Sequence, residues 1–161
     1  MKYSYVWARK TKDHEGTGVL PGSLPRTDDK FHFFAEYFYC GLCPPFSDFF
    51  VEVMLSDGFR LLDFAPNAVT YMSVFVHLCE NFLGVVPNVA LFCHFFIPWI
   101  EGDALSGSVT WIPRTGMKRH YLDGKLHTKW NEWRADWCWI KQENFPAYCI
   151  PRTKKIMRNQ C

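Results

Sequence analysis

Cys40-Gly41-Leu42-Cys43 has the spacing at which two thiolates grip one tetrahedral zinc ion, and it is the sharpest chemical motif in the chain. A closed site needs four ligands. His77, Cys79, Cys93 and His94 are the candidates to complete it, yet they form neither a second CxxC nor an HxxxH pair. Structural cysteines in an aromatic core are the stronger reading, with no metal and no cofactor expected. A thioredoxin-like role is weaker still, because no βαβ pattern surrounds the pair. His77 and Glu80, three residues apart, can share one helical face as an acid–base pair, although such a pair is more often structural. Asp48, Asp57, Asp63, Glu80, Glu101 and Asp103 supply carboxylates. Metal-assisted strand transfer needs three of them converging from the strands and a helix of an α/β sheet, and the text around these six reads as helices and loops. No catalytic residues are therefore assigned, and the chain is expected not to be an enzyme.

A second constellation is basic and aromatic. Lys118, Arg119, Lys125, Lys129, Arg134 and Lys141 interleave with Trp111, Tyr121, Trp130, Trp133, Trp137 and Trp139. Cations neutralise phosphates and exposed rings stack on bases, so Lys118, Arg119, Lys125, Lys129, Trp130, Trp133, Arg134 and Lys141 are the candidate nucleic-acid contacts. The competing reading is that the tryptophans at 130, 133 and 137 share a helical face and close the core, leaving the lysines as a solvated rim. Charge is unevenly spread: residues 1–113 hold 7 Lys and Arg against 12 Asp and Glu, whereas residues 114–161 hold 11 against 4. The chain thus reads as an acidic body followed by a basic segment.

The elements that must position these residues are clearest between Pro66 and Trp99. Pro66 suits the first turn of a helix, Gly84 its end, Pro87 the start of the next and Pro98 its stop. Val69, Met72, Val76, Cys79 and Leu83 make one apolar stripe, and Tyr71, Phe75, Leu78 and Phe82 make another beside it. This predicts a central helix buried on most sides, with Val89, Leu91, Phe92, Phe95 and Phe96 of the next helix packed against it. Residues 31–39 suit strand or helix, with a helix from about Phe33 preferred; Ser47 is a candidate cap for a helix ending near Gly58. Val109-Thr110-Trp111-Ile112 reads as a strand closed by Pro113, with Trp137-Cys138-Trp139-Ile140 as its candidate partner. The expected fold is mainly α (α+β), a compact helical core with a small C-terminal β element. The expected organisation is a flexible arm over 1–30, one globular domain over 31–151 and a basic tail over 152–161.

A chain of 161 residues with 18% aromatic side chains supports one domain and one real core. Seven cysteines without a secretion-type leader predict reduced thiols and an intracellular protein, nuclear or cytoplasmic. Residues 81–100 carry no charge, the length of a membrane span, but Gly84, Pro87, Asn88, His94 and Pro98 interrupt the run, so none is expected.

Gly18-Val19-Leu20-Pro21-Gly22, the phenylalanines of 31–38 followed by Gly41-Leu42 and Pro44, and Phe46-Ser47-Asp48-Phe49-Phe50 form an ordered series of motifs. It continues through Pro66-Asn67-Ala68-Val69, the segment from Phe75 to Gly84, Pro87 to Phe92, the tryptophans 130, 133 and 137, and Tyr148-Cys149-Ile150-Pro151. Over roughly residues 18–152 this text resembles the plant gypsy-type transposon (gypsy-type transposase) domain of proteins associated with long-terminal-repeat retroelements. Cys40 and Cys43 depart from the family's small-residue text there, and the resemblance carries no catalytic residues. It implies a retrotransposon-derived, non-enzymatic helical domain acting as an assembly or interaction (Gag-like) module, through self-association or other retroelement proteins. The alternative it leaves open is a nucleic-acid-binding protein of a retroelement using the basic, Trp-rich surface.

Overall fold

The computed structural model describes residues 4–9, 30–101, 108–115, 133–134 and 136–141. Along the chain run β1 (Ser4–Arg9), β2 (Lys30–Phe34), α1 (Ala35–Tyr39), α2 (Asp48–Ser56), a 3-10 turn (Leu61–Asp63) and α3 (Pro66–Leu78). A π turn (Cys79–Leu83), α4 (Val89–Phe95), β3 (Phe96–Glu101), β4 (Ser108–Pro113) and β5 (Asp136–Lys141) follow.

Local chemistry explains where the helices start and stop. Alpha-helix α1 grows directly from β2 and ends after little more than one turn, where Gly41 adopts φ +91°. There Leu42 N–H donates to the Tyr37 carbonyl at 2.8 Å and Gly41 N–H to that of Phe38 at 3.1 Å, the paired bonds of a left-handed helix cap. Helix α2 opens on Ser47, whose Oγ accepts from Phe50 N–H at 3.3 Å, as its hydroxyl and position predict. Pro66 occupies the first turn of α3, where its missing N–H costs nothing. The π turn that extends α3 closes at Gly84, which is left-handed at φ 63°, and Val85 N–H returns to the Cys79 carbonyl at 3.0 Å. Asn88, rather than Pro87, caps α4: its Oδ1 accepts from Leu91 N–H at 2.8 Å.

The strands form two antiparallel sheets. One has the order β1-β5-β2, with Phe31 opposite Ile140 and Phe33 opposite Cys138. The other pairs β3 with β4, setting Pro98 opposite Trp111; a parallel bridge from Phe64 to Val109 ties β4 to the body. Phe92 is the hinge of the packing between helices and the second sheet. Its ring lies 5.5 Å from Phe49 of α2, 5.1 Å from Phe75 of α3 and 4.9 Å from Trp111 of β4. Burying rings of this size stabilises the fold by about 1.5–3 kcal/mol each, with a further fraction from edge-to-face geometry. Tyr37 joins the first sheet's side to the 3-10 turn: its buried hydroxyl shares its one proton between the carbonyls of Leu61 at 3.0 Å and Phe64 at 2.8 Å.

The expected mainly-α core with a small C-terminal β element is wrong for this molecule. Strands stand beside the four helices as a full component of the fold, and they come from the beginning, middle and end of the described chain in two sheets. The fold is an α+β mixture. Aromatic runs such as Phe31–Phe34 suit either geometry from residue types alone, and the strand won because β5 supplies an antiparallel partner. Two further corrections follow from pairing. The β5 segment lies on β1 and β2 and does not pair with β4. The α4 helix stops at Phe95 rather than at Pro98, which is accommodated in β3. Part of the segment expected to be an arm, Ser4–Arg9, runs as a strand on β5, and the 152–161 tail lies outside the described residues. Among the described residues, no helix is long and apolar enough to cross a membrane.

Candidate functional site

Of the eight candidate nucleic-acid contacts, the structure describes Trp133, Arg134 and Lys141; Lys118, Arg119, Lys125, Lys129 and Trp130 lie outside the described residues. Trp133 is half-buried, with its ring edge-to-face with Phe34 at 4.8 Å and tilted on Tyr37 at 6.2 Å. The Arg134 guanidinium lies 4.6 Å from the centre of the Trp133 ring. Burial holds that guanidinium below its ordinary pKa, opposed by its attraction to Tyr37 and Asp63. Both side chains are half-buried against the body, whereas Lys141, at the end of β5, is exposed.

Beside them the sheet makes an aromatic cluster that residue spacing did not reveal. His32 of β2 stands opposite Trp139 of β5, with ring centres 3.9 Å apart, and meets Trp137 at 5.1 Å. The imidazole is buried, its Nε2 has no hydrogen-bond partner among the described residues, and desolvation pushes its pKa down to about 4. A neutral histidine packed this way acts as an aromatic filler near neutral pH.

The remaining candidates separate in space. Cys40 is buried, with burial pushing its thiol up, while Cys43 is exposed and its Sγ points to the Pro44 carbonyl at 3.5 Å. Cys79 is buried, and Cys93 is disulfide-bonded, so the expectation of reduced thiols fails at that residue. Among the described residues, no group of three His, Cys, Asp or Glu side chains could hold a metal ion. His77 faces Asn81, not Glu80: the Asn81 amide donates to His77 Nδ1 at 3.0 Å and to its carbonyl at 3.2 Å. Asp63 is occupied as a cap, accepting from Arg60 N–H at 2.8 Å, and burial raises the Asp57 carboxyl above its usual range. A shallow pocket is lined by Cys93, His94, Arg114 and Thr115, where the Arg114 Nε–H donates to the Cys93 carbonyl at 2.8 Å.

The most distinctive surface is apolar. Phe82 is 72% exposed, Leu83 65%, Val85 44% and Val86 83%, all in the turn that ends the long helix. Periodicity placed Phe82 and Leu83 in the core stripes of α3. The π turn over Cys79–Leu83 changes the helical register at that point, so the stripe's last members leave the buried face. A signal was present in the text, since Val85-Val86 before Pro87 belongs to neither helical stripe.

Residues 32–98 match the family model described as "Putative gypsy type transposon". No curated protein and no solved structure matches the chain. The match runs from β2 into β3 and so includes α1 to α4, the Gly41 cap and the apolar turn, while the basic segment after residue 113 lies beyond it. It is narrower than the resemblance over 18–152, and it rests on the elements with the densest buried aromatic packing. Over residues 32–98 the chain is therefore similar to the gypsy-type transposon domain that this model describes.

Proposed function

We propose that this gypsy-type transposon domain is a non-catalytic assembly and interaction module, Gag-like in joining copies of the chain to one another or to other proteins of the element. The observation that carries the reading is a run of apolar side chains held at the surface in one ordered turn: Phe82, Leu83, Val85 and Val86 are all exposed. Such residues contribute little to the core, and apolar surface gathered in one place marks a contact with another molecule. The buried polar groups, by contrast, are engaged in structure, Tyr37 on two carbonyls and Asp63 on a helix cap.

The test measures mass by light scattering together with the ratio of absorbance at the nucleic-acid and protein bands for the purified full chain. Assemblies larger than one chain, free of nucleic acid, are the expected result. A monomer without bound protein would overturn the reading. Nucleic acid that co-purifies and is released by moderate salt would replace it with binding through Lys141 and the basic residues 118–134.

A further inference from the structure

The apolar turn is specific enough to name its occupant. We propose that Phe82, Leu83, Val85 and Val86 form the contact through which two copies of this chain pair, an inference that rests on the assembly reading and gives it a surface. The turn is built before any partner arrives. Gly84 in its left-handed conformation and the Val85 N–H bond to the Cys79 carbonyl set the backbone; Asn81 clasps His77, and the Phe82 ring lies edge-on to that imidazole at 5.6 Å. Little ordering entropy then opposes association.

Charge and area select a second copy. Residues 81–86 are six consecutive exposed positions without a charged side chain, so the patch complements itself without any matching of charge. Their exposures correspond to roughly 400–450 Å² of apolar surface per copy, so two copies with their polar margins exceed the roughly 1,000 Å² that a specific interface requires. Glu80, Asn81, Asn88 and Ala90 are exposed around the apolar residues and supply that margin. A bilayer surface is a poorer fit, because it favours a basic rim and the charged residue adjoining the run is the exposed Glu80. A helical peptide would need a groove, whereas this surface is a turn at a helix end.

Sedimentation velocity of the full chain from about 1 to 200 µM tests the proposal, since interfaces near the standard size commonly fall in the micromolar range or tighter. The double variant Phe82→Asp, Val86→Asp should weaken the dimer at least 100-fold, to a monomer at every concentration of that series, with unchanged far-ultraviolet circular dichroism and urea midpoint, because both side chains are exposed. If the natural chain and the variant dimerise equally, this surface is refuted while assembly by another face stands. A natural chain that stays monomeric overturns both. A monomer that floats with phosphatidylcholine–phosphatidylserine vesicles, and loses them on substitution, assigns the turn to a membrane and overturns pairing.

Discussion

Removing the Tyr37 hydroxyl should destabilise the protein by about 1–2 kcal/mol, because the one proton shared between two buried carbonyl oxygens is lost while the ring is retained. The two acceptors are not equal. Leu61 O keeps a long bond from Phe64 N–H at 3.5 Å, whereas Phe64 O loses its 2.8 Å contact. A net loss of about 1–2 kcal/mol follows, mainly from leaving the desolvated Phe64 carbonyl without this donor, and Tyr37→Phe opens no cavity to add to that. The assay is urea unfolding at neutral pH followed by tryptophan fluorescence. With a slope of about 2–3 kcal/mol/M for a chain of this size, the midpoint should fall by about 0.5 M with the slope unchanged. Tyr39, which is 82% exposed, supplies the control: Tyr39→Phe should move stability by no more than about 0.5 kcal/mol. A Tyr37→Phe midpoint within error of the Tyr39→Phe midpoint would refute the argument that this hydroxyl bridges α1 to the 3-10 turn.

Gly41→Ala should cost about 1–3 kcal/mol, because the position has φ +91° and an added Cβ would approach Ser73 Oγ to 3.0 Å; an unchanged melting temperature would show that the cap relaxes freely. His32 gives a pH dependence of definite sign. Its folded pKa of about 4 lies below the unfolded 6.5, so the unfolded chain binds more protons between these values, and stability is full above pH 6.5 and falls as pH drops towards 4. The loss is on the order of 1–2 kcal/mol once partial solvent screening is allowed for, and His32→Phe should flatten the stability curve in that window; a parallel curve would exonerate His32.

Much of the helical part was legible because punctuation is local. Ser47, Pro66 and Gly84 act through their own hydroxyl, ring or missing Cβ, and each stands where its chemistry predicts. The sheets were not legible, since nothing near Trp137–Ile140 says whether its partner is 25 residues upstream or at the other end of the chain. Nor was the fate of Phe82 and Leu83, which a continuous α-helix would bury and a π turn exposes. The candidate cysteine, histidine and carboxylate sites dispersed for a related reason: spacing sets what two residues can share, but packing decides whether a third group arrives.

Residue types and order alone determined the capped helices, the aromatic core and the uneven charge, because each depends on neighbours within a turn or on composition. They also carried the similarity of residues 32–98 to the gypsy-type transposon model. Tertiary structure decided which aromatic runs became strands, that the Trp133 ring meets Phe34 and the Arg134 guanidinium, and that four apolar side chains after α3 stand in solvent. Those outcomes depend on long-range pairing and on one widened helical turn, and residue spacing read on a regular helix or strand encodes neither.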